Sequence, residues 1–241
     1  MRERVGQQLG NYRLLRLLGR GGFAEVDLGE HLFLKRRAAL KVLHTSLEEE
    51  EVDQFLAEAQ TLARLEHPNI VRVHDFAVEQ DGTPFLVMDY APRGTLLQHH
   101  PRGSCLSLKT TVTYVKYIAA ALQYAHNHHV IHRDVKPGNM LLGLQQQVML
   151  SDFGIALLSP SPEQLSTQGR EGTIPYMAPE QLRGKPGFAS DQYALGIVVY
   201  EWLCGARPFE GEPWQIAYQQ VSVPLRACVK RTRLCLRRSK R

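Results

Sequence analysis

Apolar residues in the first ninety positions form short alternating or continuous runs, a pattern typical of β-strands. The runs predict strands at Tyr12–Leu18, Glu25–Leu32, Arg37–Leu43, Ile70–Val78 and Pro84–Asp89. Between the third and fourth strands, Glu48–Leu65 carries apolar residues at helical spacing and predicts one helix, which ends before Pro68. The first part of the chain is therefore predicted to be rich in strands.

After Gly94 the pattern changes to longer helical periods. It predicts helices at Leu108–His129, Ser190–Leu203 and Trp214–Gln220, and short strands at Val130–Ile131, Met140–Leu142 and Val148–Leu150. This order predicts an α+β fold of two lobes joined near Asp89–Gly94, with a ligand cleft between them. The expected organisation is an N-terminal extension over 1–11, lobes over 12–90 and 91–224, and a tail over 225–241.

Composition places the chain among soluble globular proteins, with 44% hydrophobic and 22% charged residues. No apolar run is long enough to span a bilayer, and the N-terminus lacks the apolar core of a signal peptide, so a cytoplasmic location is expected. The four cysteines, Cys105, Cys204, Cys228 and Cys235, form no CxxC pair. Free thiols are therefore expected rather than disulfides or a zinc site.

The net charge of +5 comes from the last 17 residues, which hold eight Lys or Arg and no acid. Without this +8 the remaining chain carries −3. A basic tail can bind nucleic acid or anionic lipid, but a solvated, disordered segment is the simpler interpretation. No specific nucleic-acid partner is therefore predicted.

Two features of the strand-rich part are compatible with phosphate binding. Glycines at Gly19, Gly21 and Gly22 would let backbone amides approach phosphate oxygens, although many hairpins contain such residues. Lys41 ends an apolar strand and needs an anionic partner, either a phosphate or a carboxylate such as Glu58. The alternative is a lysine that extends to solvent and a solvated glutamate.

Residues 132–139, HRDVKPGN, form a polar loop between two apolar segments. Burying so many polar groups is unfavourable unless they contact ligands or each other. Asp152 follows another apolar strand and supplies a second carboxylate. Carboxylate and amide oxygens that converge from two loops suit Mg²⁺, which prefers hard oxygen ligands.

In this order the motifs resemble those of the protein kinase family, specifically the bacterial branch of eukaryotic-like serine/threonine kinases. The resemblance extends from about Leu14 to about Tyr218. It implies the two-lobed kinase fold and transfer of the γ-phosphoryl of ATP, with Mg²⁺, to Ser or Thr hydroxyls of protein substrates. Lys136 of the HRDxKPxN pattern, Thr173, and the sequence Ala178-Pro179-Glu180 are typical of serine/threonine kinases and disfavour a small-molecule phosphotransferase.

The resemblance also assigns roles to single residues. Asp134 would accept the proton of the substrate hydroxyl, Lys136 would steady the transferring phosphate, and Asn139 and Asp152 would hold magnesium. Lys41 would hold the α- and β-phosphates of ATP. The implied nucleotide site consists of Gly19, Gly21, Val26, Ala39, Lys41, Glu58, Met88, Asp89, Ala91 and Leu141. Ala24 replaces the third glycine of the family's loop, a change that nucleotide binding is expected to tolerate.

Ser159, Ser161, Ser166 and Thr167 follow Asp152 in the segment that corresponds to the activation loop. Autophosphorylation at Thr167 or Ser166 is expected, with Arg133 binding the new phosphate. The alternative is that these are only solvated hydroxyls. A metal site among His126, His128, His129 and His132 is disfavoured, because the family uses the last as a loop organiser and the others end a surface helix.

The resemblance ends in the C-terminal part of the chain. Asp191 matches the aspartate that anchors the catalytic loop, but after about Val223 the family's last helices have no counterpart. An incomplete C-lobe is therefore expected, in which Glu180 lacks its usual arginine partner and is unpaired. These expectations leave an alternative function, that of an inactive nucleotide-binding or scaffolding protein.

Overall fold

The computed structural model describes residues 4–22, 24–44, 56–57, 59–79, 81–153 and 172–224. These residues form two compact units. The first contains the described residues up to His67 together with Val71–Pro92, and the second contains Pro68–Ile70 and the described residues from Arg93 onward. Strands dominate the first unit and helices the second, which confirms the predicted α+β class.

The first unit is built on a six-stranded antiparallel sheet. Its strands are β1 (Gln8–Leu9), β2 (Tyr12–Arg20), β3 (Ala24–His31), β4 (Arg37–Leu43), β5 (Val73–Val78) and β6 (Pro84–Met88). The spatial order is β1-β2-β3-β4-β6-β5. Four of these strands lie close to the predicted ranges and β4 matches its range, whereas the two-residue β1 is too short to produce a periodic signal.

One face of this sheet carries the hydrophobic core of the first unit. Leu14, Leu40 and Val42 belong to this core and are at most 1% exposed. Gly29 lies beside it, where an added Cβ would stand 2.3 Å from a methyl carbon of Leu40, so a larger residue there would displace the buried Leu40 side chain. The alternate residues of the same strands point to the opposite face of the sheet.

The second unit contains five helices and a two-stranded hairpin among its described residues. The helices are α1 (Leu96–His99), α2 (Leu108–Asn127), α3 (Pro179–Leu182), α4 (Phe188–Cys204) and α5 (Pro213–Ser222), and the hairpin pairs β7 (Met140–Leu142) with β8 (Val148–Leu150). Ser107 caps α2 by accepting a hydrogen bond from the Thr110 amide. Gly205 ends α4 in the left-handed conformation, at φ 70°.

The predicted strand at Val130–Ile131 is wrong. The Val130 amide donates to the Ala125 carbonyl at 2.9 Å, so it completes the last turn of α2 and is not available to a sheet partner. The helices α1 and α3 were not predicted because each is a single turn. Half of the helix predicted at Glu48–Leu65 falls outside the described residues, and within the described half residues 56–57 and 59–63 are helical.

The expectation of free thiols is wrong for two of the four cysteines. Cys105 and Cys204 are both disulfide-bonded, and none of the cysteines in the described ranges is free. The fold brings their chain segments together, because the Leu106 amide donates to the Trp202 carbonyl at 2.8 Å. This proximity could not be predicted from the sequence, since the two cysteines lie on opposite sides of the polar loop at residues 132–139. Across the described residues, no helix has the length and apolarity needed to cross a bilayer.

Candidate active site

The polar loop at residues 132–139 lies in the second unit, between the end of α2 and β7. His132 is fully buried at its base. The Asp134 amide donates to His132 Nδ1 at 3.1 Å, so Nδ1 is the unprotonated nitrogen. Nε2 therefore carries the proton and donates to the Ser151 carbonyl at 2.8 Å. The imidazole thus ties the loop to the end of β8 as a neutral group.

Asp191 on α4 also binds the backbone of this loop. Its buried carboxylate accepts hydrogen bonds from the backbone amides of His132 (2.9 Å, to Oδ2) and Arg133 (2.8 Å, to Oδ1). His126 on α2 contacts Oδ2 through Nε2 at 2.8 Å. Three donors compensate the cost of burying this carboxylate. His126 lies in the last turn of α2, as expected, but its side chain is partly buried and contacts Asp191.

Three side chains converge on the carboxylate of Asp134. Lys136 Nζ lies 2.8 Å from Asp134 Oδ2, and Asn139 Nδ2 donates to the same oxygen at 2.9 Å. Thr173 Oγ1 donates to Asp134 Oδ1 at 3.0 Å and accepts from Lys136 Nζ at 2.7 Å. Each oxygen of Asp134 thus has a donor, which fixes the direction of the carboxylate.

Asn139 and Asp152 provide the donor atoms that Mg²⁺ prefers. The Asn139 amide nitrogen is engaged by the Asp134 carboxylate and backbone carbonyl, both at 2.9 Å, which leaves the amide oxygen for a cation. Asp152 follows β8 in the left-handed conformation, at φ 66°. Two oxygen ligands fit a magnesium ion that completes its shell with phosphate and water. The described residues contain no cluster of three or more His, Cys, Asp or Glu that could hold a metal without such help.

The predicted nucleotide-binding residues of the first unit share one face of its sheet. Val26 pairs with Lys41 across β3 and β4, and Ala39 pairs with Met88 across β4 and β6. Paired residues point to the same face and alternate residues return to it, so these four side chains lie opposite the hydrophobic core. Gly19 pairs with Val26 at the end of β2. Lys41 is only 9% exposed.

Other predicted nucleotide-site residues follow these strands. Gly21 closes the turn between β2 and β3, donating to the Ala24 carbonyl at 2.8 Å. Asp89, just after β6, is held to Arg72 through its amide and contacts His74 Nε2 at 2.6 Å. Ala91 is buried two residues later. Leu141 belongs to β7 of the second unit.

Glu58 lies outside the described residues, as do the candidate phosphorylation sites. These sites are Ser159, Ser161, Ser166 and Thr167. The pairing of Glu58 with Lys41 and the modification of the loop therefore remain predictions.

The expectation that Glu180 is unpaired is wrong. Ser190 Oγ, at the start of α4, donates to Glu180 Oε1 at 2.6 Å. The carboxylate thus acquires a local partner within the second unit. The hydrophobic pattern could not predict this contact, because serine is common in the first turn of helices whether or not it contacts a remote side chain.

Sequence reasoning also missed Gln181, whose side-chain amide donates to the Arg133 carbonyl at 2.6 Å. The only signal in the sequence was its position directly after Ala178-Pro179-Glu180. Gln181 thus joins Asp191 and His132 among the residues that contact the backbone of the catalytic loop.

The model of the protein kinase domain family matches residues 12–235. Among curated proteins, the chain is 37% identical over 214 residues to serine/threonine-protein kinase PrkC of Bacillus subtilis, covering 86% of this chain and 33% of the relative. It is 40% identical over 221 residues to DNA damage-responsive serine/threonine-protein kinase RqkA of Deinococcus radiodurans, covering 90% and 33%. It is 41% identical over 220 residues to serine/threonine-protein kinase PknA of Mycobacterium tuberculosis, covering 88% and 51%. The chain thus spans about a third to a half of the length of these relatives.

Proposed function

The chain belongs to the protein kinase family, and from that premise we propose that it transfers the γ-phosphoryl of MgATP to serine and threonine hydroxyls of protein substrates. One observation carries the proposal: the Asp134 carboxylate is held by Lys136, Asn139 and Thr173 in an arrangement suited to accept a hydroxyl proton. The relatives' names, which specify serine/threonine kinases, support the choice of substrate class.

Asp134 acts on the nucleophile. The substrate hydroxyl oxygen forms a bond to the γ-phosphorus while the bond from that phosphorus to the β–γ bridging oxygen breaks, and ADP leaves. The hydroxyl proton passes to Asp134. Because Thr173 and Asn139 each donate to this carboxylate, its direction is set before the substrate arrives, and little reorganisation is needed.

Lys136 supplies positive charge beside the reacting groups. Its ammonium lies between Asp134 and Thr173, at 2.8 Å and 2.7 Å. From this position it can steady the negative charge of the transferring phosphoryl without leaving the catalytic loop. Asn139 and Asp152 would hold magnesium, which neutralises phosphate charge when bound.

The first unit would bind the nucleotide. Val26 and Ala39 provide an apolar face for the adenine, with Met88 behind it, and Lys41 on the same face is suited to the α- and β-phosphates. The backbone of Asp89 and Ala91 and the glycines Gly19 and Gly21 would complete contacts to the base and phosphates. By the family resemblance, Leu141 would also contact the adenine, and Glu58 would pair with Lys41.

We also propose autophosphorylation at Thr167 or Ser166. The support in the described residues is Arg133, whose buried Nε has no hydrogen-bond partner there. An unsatisfied guanidinium nitrogen beside the catalytic aspartate suits a phosphate on a neighbouring segment. Since the reaction consumes MgATP, we place it in the cytoplasm, where that nucleotide is made available to kinases.

The proposal is tested by the intact mass of the purified protein after incubation with MgATP. We expect added phosphates on the wild type and none on Asp134→Asn, which removes the proton acceptor while keeping the side-chain shape. Asp75→Asn, a substitution of an exposed carboxylate in the first unit, is the matched control and should behave as the wild type.

A folded wild type that gains no mass, alone or with a generic basic protein substrate, would overturn the kinase proposal. If that protein still binds ATP, measured by a shift of its melting temperature with MgATP, the non-enzymatic nucleotide-binding function would replace it.

A further inference from the structure

A glutamine outside the catalytic loop contacts the peptide group that precedes the catalytic aspartate. Gln181 lies on α3 and is half-buried. Its Nε2 donates to the Arg133 carbonyl at 2.6 Å, across 48 residues of sequence. The two atoms are therefore within hydrogen-bonding distance, and the contact joins segments that are remote in sequence.

The same peptide group is held on its other edge by His132. The carbonyl of Arg133 and the amide of Asp134 belong to one planar unit and point in opposite directions. Gln181 Nε2 donates to the Arg133 carbonyl at 2.6 Å, and His132 Nδ1 accepts from the Asp134 amide at 3.1 Å. With both edges bonded, this plane cannot rotate without breaking one of the two hydrogen bonds.

Arg133 needs such restraint because its backbone is in an unfavourable conformation. Its φ of 67° lies in the left-handed region, which long side chains rarely adopt. A residue persists there only when its surroundings hold it. Asp191 holds the Arg133 amide at 2.8 Å, and Gln181 holds its carbonyl.

We propose that Gln181 is a positioning residue for phosphoryl transfer, which orients Asp134 through the Arg133–Asp134 peptide. The inference rests on the proposed kinase function for its catalytic consequence, but the contact itself does not depend on turnover. The hydrogen bond of Gln181 is to the Arg133 carbonyl, and the donors to the Asp134 carboxylate are Lys136, Asn139 and Thr173. Gln181 acts by setting the plane from which the Asp134 side chain projects.

The helix that carries Gln181 is itself anchored. The neighbouring Glu180 accepts a hydrogen bond from Ser190 at 2.6 Å, and Ser190 lies in the first turn of the helix that also carries Asp191. The two residues that hold Arg133 from opposite sides, Gln181 and Asp191, therefore stand on elements joined to each other. This connection explains how a one-turn helix can restrain the loop.

The first test compares Gln181→Met with Gln219→Met. Methionine keeps the length of the side chain and removes its donor. Gln219 is a matched control because it also donates from Nε2 to a backbone carbonyl, that of Glu210 at 3.1 Å, but lies on α5. We expect Gln181→Met to lower kcat roughly three- to tenfold, the scale of one hydrogen bond, with KM for ATP unchanged. Gln181→Glu should lower kcat further, because a carboxylate would face the carbonyl oxygen. Gln219→Met should change neither constant.

The second test reads the peptide directly by NMR. The dipeptide Arg-Asp occurs once in the chain, at 133–134. Labelling arginine with ¹³C at the carbonyl and aspartate with ¹⁵N therefore gives one carbonyl–amide cross-peak. Loss of a hydrogen bond at a carbonyl moves its ¹³C resonance upfield, so we expect this shift in Gln181→Met and not in Gln219→Met.

The two failures can be told apart. A wild type without turnover would refute the kinase function, and the NMR shift would still decide whether Gln181 orients the peptide. An unshifted Arg133 carbonyl in folded Gln181→Met would overturn the inference. So would an active Gln181→Met with unchanged kcat, or a fall in kcat matched by Gln219→Met.

Discussion

The Ser190 hydroxyl joins two elements of the second unit by donating to Glu180 Oε1 at 2.6 Å. The Ser190 hydroxyl oxygen also accepts a hydrogen bond from the Gly187 amide at 3.0 Å, which caps the first turn of α4. One small side chain therefore satisfies a carboxylate and a helix end together. Ser190 is 1% exposed, so water cannot replace either contact.

Substituting Ser190→Ala should destabilise the protein by about 1–3 kcal/mol, because Glu180 loses its donor and α4 loses its cap. Urea unfolding would show a lower midpoint with an unchanged slope. Ser222→Ala is the control, since Ser222 is exposed at the end of α5 and should leave the midpoint where it is. Equal midpoints for the two variants would mean that the Glu180 contact contributes nothing.

Two substitutions of Thr173 test whether its hydroxyl group, and not the volume of its side chain, supports catalysis. Thr173→Val removes the hydroxyl that donates to Asp134 and accepts from Lys136, so we expect kcat to fall by about ten- to a hundredfold. Thr173→Ser retains the hydroxyl and should keep kcat within about threefold of the wild type. The measurement is steady-state phosphorylation of a protein substrate at saturating MgATP. A Thr173→Val enzyme as fast as Thr173→Ser would show that this hydroxyl does not support Asp134.

Asp27 is a buried acid in the sheet of the first unit. It lies opposite Leu40 in the β3–β4 register, on the face that carries the hydrophobic core, and is 2% exposed. Its Oδ2 has no hydrogen-bond partner among the described residues. Burial raises the pKa of Asp27 above its usual 3.8, and the nearby negative charge of Glu25 raises it further, against the opposing effect of Arg4 and Arg20.

The raised pKa fixes the sign of a pH effect on stability. Just above pH 3.8 the folded state holds the Asp27 proton more tightly than the unfolded state, so stability is lost as pH rises from 3.8 through the folded pKa. Asp27→Asn should remove this loss and increase the free energy of unfolding at pH 7, by about 1 kcal/mol. Unfolding of both proteins across this pH range measures the effect. The exposed Asp75→Asn should keep the wild-type slope, and an Asp27→Asn curve parallel to the wild type would contradict the assignment.

The state of Cys105 and Cys204 can be read by peptide mapping. We expect a cross-linked peptide pair containing both residues in protein digested without reductant, and its disappearance after reduction. Reduction should also lower the unfolding midpoint, since a disulfide stabilises by about 2–4 kcal/mol. Unlinked peptides from freshly isolated protein would show that the thiols are free, as the cysteine pattern alone suggested.

The catalytic loop was predictable because its residues carry a dense polar pattern between apolar strands. Asp134, Lys136 and Asn139, which the motif assigns to one site, lie together with Thr173. The supporting contacts were not predictable, since they depend on which side chains the tertiary fold brings to a given carbonyl or carboxylate. Gln181 and Ser190 have no periodicity that distinguishes them from surface residues.

The fold class was equally clear, because strands with alternating apolar residues and long amphipathic helices differ in period. Boundaries and single-turn elements were less predictable. The end of α2 shows why: Val130 reads as a strand residue, but its amide is taken by the Ala125 carbonyl. Local apolar character did not reveal that hydrogen bond. The proximity of Cys105 to Cys204 likewise depends on tertiary packing.

The partners that shape the catalytic loop are remote in sequence, which has a consequence for how the protein folds. Asp191 binds the loop across 58 and 59 residues, and Thr173 reaches Asp134 across 39. Contacts that close such long segments form slowly, because the chain must lose much entropy before they are gained. During synthesis the loop emerges well before α4, so the nascent chain cannot organise Asp134 until that helix has left the ribosome. Phosphoryl transfer is therefore expected to begin only after the second unit has largely assembled.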